Sequence, residues 1–517
     1  MIRSMEYARA AGDVNSFRAP MRRSFRTLAF LWAVCALSAP GASAQTISPD
    51  LARSMDEWYA RSQRIAPGQW GVAVATSTGR VLWTVNPEAQ LIPASTAKIF
   101  TTGFARGIVG PDARIATRVL GRGHLDSAGA WIGAWGLELN GDPTLERTVR
   151  SGPMLRDLAK KLSAAGVREL RGPMDLTSTT GTTDTRIPAV WGDRYVGQLY
   201  APPVGCVTLH ENRVGWSLRP AGVLGAPPTI VYAIPAGSEA LVKVTARTVP
   251  GSGRKLTLTA LPDGLWELGG TIGIRSRIAG VSTTSQRPDL VLREAWGAAL
   301  SRAGIRWVRD GKPTRPGLLE RADVLAEVTS APFDSLAMMV NRRSLNIGAE
   351  ALLRWADGSS NAAERLTRHV QEIVGAGAAV RLVDGSGLSP LDRVSPLTQA
   401  LYLARLPRTP GLEAFPTLLP ANGHGTLRHF GRGVLPAGVM RAKTGTLDSV
   451  SALAGYLGRR DGVLVISTIY NGPRSRTAKR QQWNLFRLLG AGGMDLATAA
   501  EESETQLGGE EEGGVRH

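Results

Sequence analysis

The chain has 517 residues, 43% of them apolar and 20% charged, which is room for two or three domains and the composition of a folded protein rather than a disordered one. Its two cysteines, Cys35 and Cys206, exclude a disulfide framework. The net charge of +18 sits on arginines scattered without a helix-turn-helix, zinc-finger or RNA-recognition signature, so no nucleic-acid partner is expected; an anionic cell-wall polymer or membrane surface suits the same charge.

Residues 1–44 have the order of a secretory signal peptide. Met21-Arg22-Arg23-Ser24-Phe25-Arg26 is basic, Thr27 to Leu37 is apolar but too short to span a bilayer, and Ala42-Ser43-Ala44 is a small-residue cleavage site. Export, cleavage before Gln45 and a periplasmic mature protein are expected. An uncleaved anchor is the alternative, Arg22-Arg23 leaves the twin-arginine route open, and either Met1 or Met21 can be the start. Past this segment 55 basic residues still face 41 acidic ones.

Ser48 to Ser62 then reads as a capped helix, and Trp70 to Thr84 as two strands around the turn Ser77-Thr78-Gly79-Arg80. From about Asp112 to Arg287 short β-like runs, among them Thr229 to Ile234, Ala240 to Val249 and Leu256 to Leu261, alternate with Gly and Pro turns, which reads as an all-β insertion. Helical patterns resume at Pro288 to Gly304, Ser335 to Leu353, Asn361 to Gly375 and Pro396 to Leu406. A second strand pair, Ser451 to Leu457 and Val463 to Tyr470, precedes a closing helix at Ser475 to Leu489. The two ends therefore contribute to one sheet, in an α/β chain of the α+β type: an antiparallel sheet flanked by helices and interrupted by a β-rich insertion. The expected division is 45–112 with 288–495 as one domain, 113–287 as the insertion, and 496–517 as a disordered acidic tail.

Three short patterns carry chemistry. Ser95 in Pro93-Ala94-Ser95-Thr96-Ala97-Lys98 begins a helical stretch, with Lys98 one turn on, on the same face. A serine hydroxyl attacks only when a neighbouring base takes its proton, and a lysine of depressed pKa can do so. Ser252-Gly253-Arg254-Lys255 has the same spacing in a Gly-rich turn and reads as surface. Only 8 of the 61 basic residues are lysines, so a lysine kept where arginine would serve structurally is a mild chemical hint. The second pattern is Ser344-Leu345-Asn346, leading into a helix, and the third is Lys443-Thr444-Gly445-Thr446 before the last strand pair; alone, each reads equally well as a helix cap or a turn. The six histidines show no metal-ligand spacing, and neither a metal nor another cofactor is expected.

Ser-x-x-Lys, Ser-x-Asn and Lys-Thr-Gly in this order form a known catalytic set. With Gly141-Asp142-Pro143-Thr144-Leu145, Tyr200-Ala201-Pro202-Pro203, Asp384-Gly385-Ser386-Gly387-Leu388-Ser389 and Gly425-Thr426-Leu427, the chain resembles the D-alanyl-D-alanine carboxypeptidase/endopeptidase family, the class C low-molecular-mass penicillin-binding proteins of penicillin-binding protein 4 type. The separation of 249 positions from Ser95 to Ser344 agrees with the extra domains that family carries there. The resemblance implies a penicillin-binding, serine β-lactamase-like fold acting on peptidoglycan stem peptides and cross-links, with β-lactams as inhibitors. It implies Ser95 as nucleophile, Lys98 as base, Ser344 as proton relay, and Asn346 holding Lys98 and the substrate amide. Lys443, Thr444, Gly445 and Thr446 would bind substrate, and Asp193 would be an acid that the insertion presents to the cleft. A β-lactamase or esterase on the same scaffold, or a non-catalytic wall scaffold, are the alternatives. Two departures stand out: Leu345 where an Asp is common, and Pro390-Leu391-Asp392 in place of Arg-x-Asn.

Overall fold

The computed structural model describes residues 45–147, 152–310, 319, 321–430 and 435–490. The expected signal peptide, Cys35 and the 496–517 tail lie outside them. Residue patterning explains the central element, a five-stranded antiparallel sheet built from both ends of the chain. Its strands run in the order Val81–Val85, Gln69–Thr76, Gly462–Asn471, Val450–Arg459 and Met440–Leu447. Alternate residues point to opposite faces of a strand. Val72, Val74, Leu453, Leu457, Leu464 and Ile466 accordingly share one core with the helices Pro49–Ile65 and Ser475–Leu489. Ala73, Ala452, Ala454, Val465 and Ile469 share another with helices that include Lys98–Val109, Phe333–Arg343 and Pro396–Arg405. Ser48 caps the first helix by accepting from Leu51 N at 3.2 Å, and Trp58 Nε1 pins it to the last by donating to Gln481 O at 2.8 Å.

The intervening segment has its own core, running from Val119 to Val328. Four small sheets surround it, one of which pairs Asp323–Thr329 with Ala116–Leu125. Two expectations change here. The insertion is not all-β, because Leu155–Ala164 is a helix whose Leu155, Leu158, Ala159 and Leu162 make one buried stripe at helical spacing. The helix Pro288–Arg302, grouped by sequence with the catalytic halves, instead packs Val291, Leu292, Trp296 and Leu300 into the insertion's core, where an apolar helix face is buried against another layer. Two continuous patterns also break. Ala240 to Val249 splits into the short strands Val242–Val244 and Arg247–Val249, and Ser335 to Leu353 splits at Ser344 into the helices Phe333–Arg343 and Asn346–Ala356. Among the described residues no helix is long and apolar enough to cross a membrane.

Candidate active site

Ser95 lies in a single 3-10 turn, Ala94–Ala97, that runs straight into the helix Lys98–Val109. The turn leaves Ser95 partly exposed while Lys98 is fully buried. Lys98 Nζ donates to Ser95 Oγ at 3.0 Å, to Asn346 Oδ1 at 2.6 Å and to the Ser386 carbonyl at 2.6 Å, which uses all three ammonium protons. When Lys98 is neutral, one of these contacts must reverse. The hydroxyl of Ser95 is the only one of the three partners that can turn from acceptor to donor without changing its own chemistry, so the lone pair falls to the serine. Burial lowers the Lys98 pKa to about 8, against the pull of Asp384, Glu350 and Asp392.

Ser344 and Asn346 come from the joint between two helices. Ser344 ends the first in the left-handed region, at φ 55, and Asn346 opens the second. Leu345 between them is buried, against Gly348 at the same joint. Asn346 Nδ2 donates to the Tyr200 carbonyl at 2.8 Å, which fixes the amide so that its oxygen faces Lys98. Tyr200 belongs to the insertion, so the insertion orients a group of the site.

Lys443 stands on the edge strand of the sheet, fully buried, and donates to Ser344 Oγ at 2.9 Å and to the Thr444 carbonyl at 2.7 Å. Burial, then repulsion from Lys98 and Lys479, holds its pKa well below the usual lysine value. Gly445 is there for space: a Cβ would lie 2.6 Å from the Pro93 carbonyl and 3.1 Å from Ala94 Cβ. The strand thus passes directly over the serine turn. Thr444 and Thr446 face the open cleft that Ser95 and Ser344 also line.

Residues 51–489 match the D-Ala-D-Ala carboxypeptidase 3 (S13) family. The chain belongs to that family. It is an enzyme of that class, a serine-type D-Ala-D-Ala carboxypeptidase. It is 28% identical over 426 residues to a D-alanyl-D-alanine carboxypeptidase of an Actinomadura species, covering 78% of this chain and 77% of the relative. It is 28% identical over 441 residues to carboxypeptidase DacB of Mycolicibacterium smegmatis, covering 80% and 79%. Its fold is that of penicillin binding protein 4 (dacB) from Haemophilus influenzae, with a TM-score of 0.66 at 20% identity over 83% of this chain and 98% of that one.

Several groups of this S13 peptidase's site carry no catalytic motif of their own. Asp384 is buried and accepts from the backbone N–H of Ser386, Gly387, Leu388 and Ser389 and from Trp191 Nε1 at 2.9 Å. This shapes the loop whose Ser386 carbonyl meets Lys98. Gly387, at φ +76, lets that loop touch the Ala94 carbonyl. Behind it Asp392 is wholly buried, with Oδ1 accepting from Val383 N at 2.8 Å and its carboxyl set against that of Asp384. The run of residues 384–389 was legible as a family stretch; its contact with Lys98 was not. Asp193 opens a short turn, Asp193–Tyr195, and is exposed outside the residues lining the cleft. Its neighbours Trp191 and Tyr195 pack with Leu388, and Arg194 reaches Asp448 at 3.4 Å, so the turn borders the site without the Asp193 side chain entering it. Ser252 and Lys255 are exposed on a hairpin, as surface.

Proposed function

We propose that this enzyme hydrolyses D-Ala-D-Ala termini and D-alanyl cross-links of peptidoglycan stem peptides through an acyl-enzyme on Ser95. The observation that carries the reading is the contact of a fully buried Lys98 amine with Ser95 Oγ at 3.0 Å. Neutral Lys98 takes the Ser95 proton as Oγ attacks the D-Ala carbonyl carbon. The backbone N–H groups of Ser95 and Thr446 hold the oxyanion, a kind of contact whose single loss costs about a hundredfold or more in rate. The C–N bond breaks as the leaving amine receives a proton by way of Ser344, which Lys443 holds at 2.9 Å. Water then attacks the ester, and Ser95 regains its proton. Asn346 keeps Lys98 aimed and binds the acyl-side amide, while Lys443, Thr444 and Thr446 take the carboxylate beside the scissile bond. Asp193 serves at the rim, toward the acyl-donor side chain.

A β-lactam offers a strained amide beside a carboxylate and enters by the same contacts. The substrate lies outside the cytoplasmic membrane, which agrees with residues 1–44 acting as a signal peptide removed before Gln45 and with a periplasmic enzyme whose excess of arginine favours an anionic wall. Labelled penicillin with peptide mapping tests the assignment: label on Ser95, lost in Ser95→Ala, is expected. Label on Ser252 or Ser386 instead, or intact sacculi releasing no D-Ala and keeping every cross-link, would end it. Rapid penicillin turnover without peptide turnover would mark a β-lactamase.

A further inference from the structure

The cleft that opens at Ser95 extends past every group used by the chemistry above. Its volume is ≈ 560 Å³, and beyond Ser344, Thr444 and Thr446 its wall consists of Arg342, Arg343, Gly425, Thr426, Arg428, His429 and Lys479, with no carboxylate among the lining residues. Arg343 is already neutralised by Glu211. Among the described residues Arg342, Arg428 and Lys479 form no ion pair; Lys479 stacks over the Trp483 ring at 5.6 Å.

Three separate elements bring these cations together: the last turn of the helix Phe333–Arg343, the turn Gly425–Leu427 with the residues after it, and the C-terminal helix. The first two are pressed together, since a Cβ on Gly425 would lie 2.5 Å from both Arg342 Cγ and the Arg342 carbonyl. Thr426 Oγ1 is buried on this wall without a hydrogen-bond partner. Confining like charges in one concave wall is unfavourable unless an anion sits among them.

The position of the wall indicates what that anion belongs to. The carboxylate beside the scissile amide is part of the leaving residue, so space that continues from Thr444 and Thr446 holds whatever is attached to that residue. On the other side of Ser344 a separate pocket of ≈ 100 Å³, lined by Leu199, Tyr200, Pro202 and Asn346, adjoins the acyl side. We propose that Arg342, Arg428 and Lys479 form a subsite for a further carboxylate of the leaving peptide, which favours leaving groups with more than one negative charge, such as the acceptor stem of a direct cross-link, over a single D-Ala. The inference rests on the reading of Ser95 and Thr446 given above.

The full chain is assayed on a cross-linked stem-peptide dimer, once with all leaving-strand carboxylates free and once with those remote from the scissile amide converted to amides. In the wild type remote amidation lowers kcat/KM about tenfold, the scale of one charge-assisted hydrogen bond. Arg342→Gln and Arg428→Gln cut the free dimer about tenfold more slowly and no longer distinguish it from the amidated one; Arg342→Lys, which keeps the charge, restores part of the discrimination. Wild-type discrimination retained in both glutamine variants overturns the proposal, as does a wild type that cuts the two dimers equally. Penicillin labelling of Ser95 in the same preparations separates the two levels: an unlabelled wild type removes the reading of the site and this inference with it, whereas a labelled enzyme indifferent to remote amidation removes the inference alone.

Discussion

Lys98 is an amine held away from water, and its pKa of about 8 is the balance of burial against three nearby carboxyls. Since the neutral form is the one that accepts the serine proton, penicillin acylation should rise as pH passes through about 8 and level off above it. Lys98→Arg keeps the charge but has no lone pair to offer at any working pH, so stopped acylation, down by about a hundredfold or more, is expected in the same assay. Asp392 is the opposite case. Burial first, and then the Asp384 carboxylate, raise its pKa well above 3.8. A carboxyl with a raised folded pKa contributes fully below its unfolded value, and the native state loses stability as pH climbs from there through the folded value. Asp392→Asn removes that penalty and keeps an N–H donor toward Asp384. The variant should be more stable than the wild type at pH 7, by about 1 to 3 kcal/mol, with the gap closing as pH falls toward 3.8. Urea melts across pH check it; a gap that widens toward acid would refute the protonated carboxyl.

The serine turn is held between two backbones that approach it without side chains. Gly445 in the edge strand and Gly387 in the Asp384 loop both abut Pro93–Ala94, with Cβ clearances of 2.6 Å and 1.9 Å to backbone oxygens. Neither oxygen can swing aside as a flexible side chain can, so the strand must move instead. Gly445→Ala should slow acylation about tenfold or more, because an ångström of displacement in a catalytic group is enough for that. Labelling time courses would show it, and an unchanged rate would mean the strand tolerates the shift. A second element reaches in from the insertion: Trp191 is buried and donates to Asp384. Trp191→Phe keeps most of the packing but leaves a buried carboxylate oxygen one donor short, a loss of about 1 to 3 kcal/mol. Chemical denaturation measures the stability, and the Lys98 pH profile is expected to shift with it, since Asp384 shapes the loop on which Lys98 rests.

At the scale of the molecule, the insertion acts as part of the site. It supplies the Tyr200 carbonyl to Asn346, the Trp191 indole to Asp384, and Glu211 to Arg343, the residue before Ser344. Glu211 is 5% exposed and also meets Arg147 at 3.1 Å and Arg213 at 3.7 Å. Removing Glu211 leaves Arg147 and the partly exposed Arg213 and Arg343 facing one another, which, with solvent screening, costs about 1 to 3 kcal/mol. Glu211→Gln should therefore destabilise the protein by that order in calorimetry and slow acylation by displacing Ser344. A variant of wild-type stability would mean that the arginines find solvent instead of one another.

What the sequence by itself determined was everything local. Ser48 as a cap, the period-two runs of the sheet, the chemistry-bearing triplets around Ser95, Ser344 and Lys443, and the pairing of the two chain ends are properties of short windows or of their order. The helix Leu155–Ala164 was equally legible at its apolar spacing, and was masked by the turn-rich sequence around it. Tertiary structure decided the rest. Only packing could show that Pro288–Arg302 belongs with the insertion, that a helical pattern breaks at Ser344, and that Lys98 lies against a carbonyl 288 residues away. Depressed amine pKa values, a raised carboxyl pKa and a wall of gathered cations arise from what surrounds a residue in space, and burial among distant neighbours leaves no mark on the spacing of residues along a chain.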